Sequence, residues 1–203
     1  MPRKSLLGLA VLTALLYSCN MDLDWREDEE NNNVVQPPIE VMDRIGVKEG
    51  MVIGEFGSGY GRFTVPLAVR VGEKGLVYAN EIDESLVSFI DKRCKRAGLK
   101  NVKIILGEVD DPLFPEGSLD MAFSSLVYHE IEKPVIFLKN LLPSLKPDAS
   151  IVIVDNDPKI NSERSNAGRD WLQEFEEAGL EIVRTEKLKD RDVIFILKVR
   201  AGS

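Results

Sequence analysis

The sequence predicts an α/β fold: a three-layer sandwich around a seven-stranded, mostly parallel sheet with one antiparallel strand from a C-terminal hairpin. From residue 37 onward, short apolar runs alternate with amphipathic stretches, the pattern of a parallel sheet covered by helices on both faces. The last two apolar runs are separated only by residues 189–192, too few for a crossover helix, so they must form an antiparallel hairpin. With 203 residues, 44% of them hydrophobic, the chain is long enough for one well-buried domain.

Seven apolar runs account for the strands. Several are rich in β-branched residues, which suits central strands that are buried on both faces. The predicted strands cover residues 51–56, 76–80, 102–106, 119–124, 150–155, 181–188 and 193–199. The first strand leads directly into a glycine-rich turn, and the second ends at Glu81.

The stretches between the strands carry apolar residues at helical spacing. Four helices are predicted, over residues 62–71, 83–97, 132–142 and 169–178. Asp83 is expected to cap the second helix, and Gly98 and Gly179 follow the ends of the second and fourth. Cys94 lies on the apolar face of the second helix, which favours a small core residue over a reactive thiol.

The N-terminal segment is predicted to lie outside the folded domain, which is expected to span residues 36–203. Arg3 and Lys4 precede an uncharged, mostly apolar run over residues 5–18. At about 1.5 Å per residue this run reaches only about 21 Å, short of a roughly 30 Å hydrocarbon core, which favours a signal peptide. Residues 20–35 are acidic and rich in asparagine, so they are predicted to be a disordered tether.

The apolar run ends in Leu15-Leu16-Tyr17-Ser18-Cys19, which resembles a bacterial lipobox. The resemblance makes residues 1–19 the signal segment and implies an exported, membrane-associated lipoprotein held through a lipid on Cys19. Two alternatives stay open: an ordinary signal peptide, and an uncleaved N-terminal anchor that leaves the domain at the cytoplasmic face.

The charge and the metal-binding residue types exclude several partners. The net charge is −8, and such a surface repels phosphate backbones, so we expect no nucleic acid partner. One histidine and two cysteines provide no soft-metal cluster of the usual spacing, and no metal site is predicted. A hard-metal site made of carboxylates stays open.

The most informative segment follows the first strand. Glu55 is followed by Gly57, Gly59 and Gly61 at alternating positions. Glycine permits positive φ and lets a ligand contact the backbone, and the next helix presents free N–H groups. The dinucleotide fingerprint needs its third glycine three positions after the second, whereas here the spacing is two, so a nicotinamide-dependent dehydrogenase is the less favoured interpretation.

The pattern Glu55-x-Gly57-x-Gly59-x-Gly61 resembles the first motif of class I S-adenosylmethionine-dependent methyltransferases, which have a Rossmann-like fold. Glu81 after the second strand and Gly107-Glu108 after the third continue the resemblance. It covers about residues 37–199, including the terminal hairpin. The resemblance implies S-adenosylmethionine as the cofactor and methyl transfer as the activity.

Residues at the carboxyl ends of the strands are the candidate cofactor ligands. Glu81 can accept both ribose hydroxyls, the alternative being an acid favoured by the helix dipole. By the resemblance, Glu108 accepts from the adenine amino group, with Asp110 as the alternative, and the Val109 N–H meets the ring. The full set predicted to contact the cofactor is Glu55, Gly57, Ser58, Gly59, Gly61, Glu81, Ile82, Glu108, Val109 and Ser124.

His129, the chain's single histidine, follows the fourth strand and is the candidate catalytic residue. Methyl transfer needs alignment more than acid–base help, yet a nucleophile of high pKa benefits from a base. His129 is therefore interpreted either as a general base or as a side chain packed over the methionine part of the cofactor. The loop from Asp155 to Gly168 faces the substrate in the family and carries no Asn-Pro-Pro-aromatic motif.

These features favour a small-molecule or lipid-like methyl acceptor, with a protein side chain as the alternative. The predicted export conflicts with a cofactor that is made in the cytoplasm. The conflict disappears if the anchor is uncleaved, or if the protein acquires the cofactor before or after export. The remaining hypothesis is an exported, non-catalytic nucleoside-binding module on the same fold. The complete set of glycines with Glu55 and Glu81 favours a pocket that binds a nucleoside.

Overall fold

In a computed structural model, the chain is described over residues 25–158 and 168–201. It divides into two compact units, residues 1–34 and 35–203. The predicted signal segment at residues 1–19 lies outside the described residues. Within the part of the chain that is described, no helix is long and apolar enough to cross a membrane.

Residues 25–35 form a helix, α1. This differs from the disordered tether predicted for residues 20–35. Low hydrophobicity argues against a packed core but not against a helix, and glutamate is a good helix former. Glu27, Glu29 and Glu30 lie within this helix, so composition alone underestimated its local propensity.

The second unit is a seven-stranded sheet with helices on both faces. Its strands are β1 (Val52–Phe56), β2 (Leu76–Glu81), β3 (Val102–Leu106), β4 (Leu119–Ser125), β5 (Leu145–Asn156), β6 (Leu180–Leu188) and β7 (Asp192–Val199). Its helices are α2 (Pro38–Ile45), α3 (Thr64–Val71), α4 (Glu84–Arg96), α5 (Pro134–Leu141) and α6 (Trp171–Glu177), with 3-10 turns at Tyr128–Glu130 and Leu142–Ser144.

The strand order is β3-β2-β1-β4-β5-β7-β6. Strands β1 to β5 pair in parallel, and β7 runs antiparallel to both β5 and β6. The predicted fold class, with one reversed strand from a terminal hairpin, is therefore confirmed. The order reverses between β1 and β4, and in open α/β sheets a ligand crevice lies at the carboxyl ends of the strands at such a point.

Two elements differ from the sequence prediction. Helix α2 was not predicted because it is only eight residues long, between Pro37-Pro38 and Gly46. It buries Val41, Met42 and Ile45, so packing rather than length stabilises it. Strand β5 begins at Leu145 instead of residue 150, since Leu145 already pairs with Leu119 across an irregularity in the ladder.

Two side chains, Asp83 and Cys94, occupy the structural positions predicted for them. Asp83 caps α4, accepting the backbone N–H of Ser85 at 2.7 Å. Cys94 is buried in the core, and burial raises the pKa of its thiol to about 11. Asp120 accepts the Val52 N–H at 2.7 Å, so it joins β4 to the start of β1.

Candidate active site

The loop between β1 and α3, residues 57–61 and here called the glycine loop, turns sharply over the carboxyl edge of the sheet. Gly57, Gly59 and Gly61 all have positive φ, at 68°, 54° and 80°. The Ser58 N–H donates to the Asn80 carbonyl at 2.9 Å, and Arg93 donates to the Tyr60 carbonyl at 2.8 Å. The loop is therefore fixed against β2 and α4.

The space around each glycine decides what the loop can contact. A Cβ on Gly57 would lie 2.5 Å from a methyl group of Val127, whereas a Cβ on Gly59 would meet no atom within 4 Å. A Cβ on Gly61 would meet its nearest neighbour at 3.6 Å. Gly57 is thus packed against protein, and Gly59 presents bare backbone to open space that a ligand can fill.

Glu81 stands at the end of β2, 8% exposed. Its Oε2 accepts the Gly59 N–H at 2.8 Å, and its Oε1 accepts the N–H groups of Ile82 at 2.8 Å and Asp83 at 3.3 Å. A carboxylate has about four lone-pair sites, so Oε2 retains capacity for a hydroxyl. Asp83 already caps α4. The alternative interpretation of Glu81, as an acid placed there by the helix dipole instead of a ribose ligand, is therefore not needed.

Glu55 lies beneath the glycine loop rather than on its open side. It is 3% exposed, and its Oε2 accepts the Thr64 hydroxyl at 2.5 Å. Burial is the main cause that raises the pKa of Glu55 to about 7, despite the lowering hydrogen bond from Thr64. In this position Glu55 supports the first turn of α3, so any effect on a cofactor passes through the loop.

Replacing Glu55 by glutamine is expected to remove a pH dependence of stability. A raised pKa in the folded state means that the folded protein binds this proton more tightly than the unfolded chain. The protonated Glu55 side chain therefore makes its full contribution to the free energy of unfolding below about pH 4.5. This contribution is lost as the pH rises to about 7. Above pH 7 the Glu55→Gln variant should be more stable than the parent, by a free energy of unfolding on the order of 3 kcal/mol.

Urea unfolding of both proteins at pH 5 and pH 8 measures this difference. The exposed Glu116 provides a matched control, and Glu116→Gln should change the free energy of unfolding by less than about 0.5 kcal/mol at either pH. A Glu55→Gln variant that is less stable than the parent at pH 8 would show that the carboxylate is satisfied in its buried site.

Other predicted ligands lie around the same edge. Ile82 and Val109, after the neighbouring strands β2 and β3, are 55% and 69% exposed, and Glu108 is exposed beside Val109. Two exposed apolar side chains at adjacent strand ends suit the faces of a flat ring. Ser124 differs: it is fully buried, and its Oγ has no hydrogen-bond partner among the described residues, so it does not face the open edge.

His129 lies in the 3-10 turn that follows β4. Its Nδ1 is 2.8 Å from Asp155 Oδ1, and its backbone N–H donates to Asp155 Oδ2 at 3.2 Å. Asp155 is fully buried near the end of β5, the neighbour of β4. With Nδ1–H donating to that carboxylate, the lone pair of the neutral imidazole is on Nε2, which lies 3.7 Å from Glu130 Oε1.

Residues 126–130, here called the His129 turn, are also packed against the glycine loop. Val127, two residues before His129, occupies the space beside Gly57. Leu126 has a φ of 58°, a left-handed conformation that non-glycine residues rarely adopt, and its N–H donates to the Val154 carbonyl at 2.9 Å. The strained residue at the end of β4 thus directs the chain toward the loop.

Two residues of this site were not foreseen as partners of His129. Asp155 was predicted only as the start of a polar loop, although adjacency of β4 and β5 brings it to His129. Arg169 donates from Nη1 to the carbonyl oxygens of Tyr128 and His129, at 3.2 Å each. Nothing in the sequence indicated this second contact.

Comparison with known proteins identifies the family. Residues 47–190 match the family described as "Methyltransferase domain". The chain belongs to this methyltransferase family. Its fold is similar to that of a SAM-dependent methyltransferase from Aquifex aeolicus, with a TM-score of 0.76 and 26% identity, covering 83% of this chain and 92% of that one.

Curated relatives are also methyltransferases. The demethylmenaquinone methyltransferase of Geobacillus stearothermophilus is 27% identical over 140 residues, 69% of this chain and 55% of its own length. The protein-L-isoaspartate O-methyltransferase of Pyrococcus horikoshii is 35% identical over 107 residues, 53% of this chain and 45% of its own length. The chain spans about half the length of these curated relatives.

The expected class I S-adenosylmethionine-dependent methyltransferase family, and S-adenosylmethionine as its cofactor, are confirmed. The site fits this group. Gly59 leaves room for it against the backbone, and Glu81 Oε2 offers a carboxylate oxygen for a ribose hydroxyl. Ile82 and Val109 are exposed apolar side chains suited to the adenine ring.

Proposed function

We propose that this chain transfers a methyl group from S-adenosylmethionine to a small-molecule or lipid-like acceptor, and that His129 accepts the proton that the acceptor loses. The observation that carries the proposal is the pairing of His129 with the buried Asp155 at the carboxyl ends of β4 and β5, beside the glycine loop. This pairing favours a general base over a side chain that only packs against the cofactor.

When bound, the cofactor would supply a methyl group on a positively charged sulfur, a good leaving group that keeps the electron pair of the carbon–sulfur bond. His129 Nε2 takes the proton of an acceptor O–H group as the oxygen forms its bond to the methyl carbon. Asp155 holds the imidazole in the Nδ1–H tautomer and stabilises the imidazolium that results.

The acceptor class is supported by the relatives and by the charge. One relative is, by its name, a methyltransferase for demethylmenaquinone, and another an O-methyltransferase for nocamycin. The net charge of −8 disfavours a polyanionic acceptor such as nucleic acid. We therefore propose an uncharged or lipid-like acceptor with an ionisable hydroxyl, of the phenol or quinol type.

Calorimetry with S-adenosylmethionine tests the cofactor site. The purified protein should bind the cofactor, and Glu81→Gln should weaken binding by more than about tenfold, since each charge-assisted hydrogen bond contributes about 1.5–3 kcal/mol. Glu84, exposed in the first turn of α4, is the matched control, and Glu84→Gln should bind like the parent. No heat at millimolar cofactor would contradict the proposal.

A screen for methyl transfer tests the acceptor. The protein is incubated with isotopically labelled S-adenosylmethionine and either a lipid extract or a set of phenols and quinols. Label in a small molecule of the extract or of the set supports the proposed class. Label in a protein substrate, offered in a parallel incubation, contradicts it. The second candidate is an exported non-catalytic nucleoside-binding module, which the predicted leader segment supports. Cofactor binding without any methyl transfer would favour it.

We also propose that residues 1–19 direct export and that a lipid on Cys19 holds the protein at a membrane. The support is the sequence alone: a basic start, the apolar run over residues 5–18 and the lipobox-like end. Mass spectrometry of the mature N-terminus provides the test. We expect a diacylated Cys19 as the first residue, and an intact Met1 would contradict the proposal and favour an uncleaved anchor.

A further inference from the structure

Arg169 makes a planar set of contacts between α6 and the His129 turn. Its Nε and Nη2 donate to the two carboxylate oxygens of Glu174, at 2.8 Å each. Its Nη1 donates to the carbonyl oxygens of Tyr128 and His129, at 3.2 Å each. The guanidinium thus joins a bidentate ion pair to the backbone of the turn, a geometry that only arginine provides.

Tyr128 completes the same cluster from inside the core. Its hydroxyl donates to Glu174 Oε2 at 2.8 Å, and its ring packs against Trp171 and Phe175 with centroids 4.9 and 5.3 Å away. Burial raises the pKa of Tyr128 far above its usual range. Tyr128 therefore remains a neutral donor, and its role is to hold Glu174 in position for Arg169.

The consequence concerns His129. Asp155, the second-last residue of β5, contacts the imidazole and the N–H of His129. Arg169, two residues before α6, contacts the carbonyl of the same residue. The backbone of His129 is therefore held on two sides, by its N–H and by its carbonyl.

We infer that Arg169 is a positioning residue, which holds the backbone of His129 so that Nδ1 stays bonded to Asp155 and Nε2 is oriented to accept the acceptor's proton. The inference rests on the proposed function in one respect, the role of His129 as base. The geometric part, the effect of Arg169 on the imidazole, can be measured without any methyl transfer.

The single histidine of the sequence makes the measurement unambiguous, because nitrogen NMR of the labelled protein, free of any histidine tag, gives one imidazole. The parent protein should show the Nδ1–H tautomer. Arg169→Lys keeps the charge but cannot form the planar contacts, and it should give a mixture of tautomers. Its kcat should fall about tenfold to a hundredfold, with an unchanged KM for S-adenosylmethionine.

Arg200 is the matched control, because it pairs with Glu176, a surface residue of α6. Arg200→Lys should leave the tautomer and kcat unchanged. If Arg169→Lys does not fold, Glu174→Gln provides the second variant, since it weakens the same ion pair while preserving shape. Its tautomer should shift in the same direction.

Two outcomes separate this inference from the proposed function. A parent-like tautomer and a kcat within twofold of the parent in the Arg169→Lys and Glu174→Gln variants would overturn the positioning role alone. A changed tautomer in a protein that methylates no acceptor would support the positioning of the imidazole and contradict the role of His129 as a base.

Discussion

Replacing His129 by glutamine is expected to lower kcat for methyl transfer by a factor of about 10²–10⁴, the usual contribution of a general base. Glutamine can still donate to Asp155, which is 2.8 Å from the imidazole in the parent, but it cannot accept a proton at the position of Nε2. Affinity for S-adenosylmethionine should change by less than about twofold, since the proposed cofactor contacts lie at the glycine loop and Glu81.

Single-turnover kinetics with labelled cofactor, together with calorimetry, measure the two quantities separately. Glu132→Gln is the control, because Glu132 is exposed on the same segment. Asp155→Asn should reproduce much of the loss, since an amide at this site favours the wrong tautomer of His129. If His129→Gln keeps more than half of the parent's kcat, then alignment alone drives the reaction and no base is used.

The sheet could be predicted from the sequence because its signals are local. The apolar runs place β1 to β3 almost to the residue, and the short link at residues 189–192 identifies the reversed strand. The glycines and Glu81 were also found, because a tight turn with exposed backbone requires particular residue types at fixed spacing.

The contacts of His129 could not be predicted in the same way. Asp155 and His129 are 26 positions apart and meet because β4 and β5 are neighbours. Arg169 reaches the turn across 40 positions, through the packing of α6. Periodicity carries no information on such tertiary pairs.

Glu55 and Ser124 illustrate a different limit. Both stand near the ends of central strands, where ligands bind, yet both side chains are buried. Successive residues of a strand face opposite sides of the sheet, and here Glu55 faces Thr64 of α3. Which strand ends remain open depends on how the helices cover each face, and the sequence pattern does not determine that.

Replacing Gly57 by alanine is expected both to destabilise the protein and to disturb the candidate active site. The residue has a φ of 68°, which costs an L-residue about 1–2 kcal/mol. The added Cβ would also lie 2.5 Å from one methyl group of Val127 and 2.6 Å from the other. With overpacking included, we expect a loss of about 2–4 kcal/mol, and thermal unfolding roughly 6–12 °C lower.

Gly59→Ala is the matched comparison within the same loop. Its φ of 54° is strained in a similar way, but the new Cβ would meet no protein atom within 4 Å. Stability should fall by only about 1 kcal/mol. Affinity for S-adenosylmethionine should fall by more than about tenfold, because the methyl group occupies the space proposed for the ligand.

A double-mutant cycle assigns the Gly57 effect to its cause. Adding Val127→Ala removes the methyl groups that the new side chain meets, so the double variant should be more stable than the sum of the single losses by about 1–3 kcal/mol. Urea unfolding of the four proteins measures this coupling. Strict additivity would mean that backbone strain alone explains the loss, and the glycine loop and the His129 turn would then not be coupled through Val127.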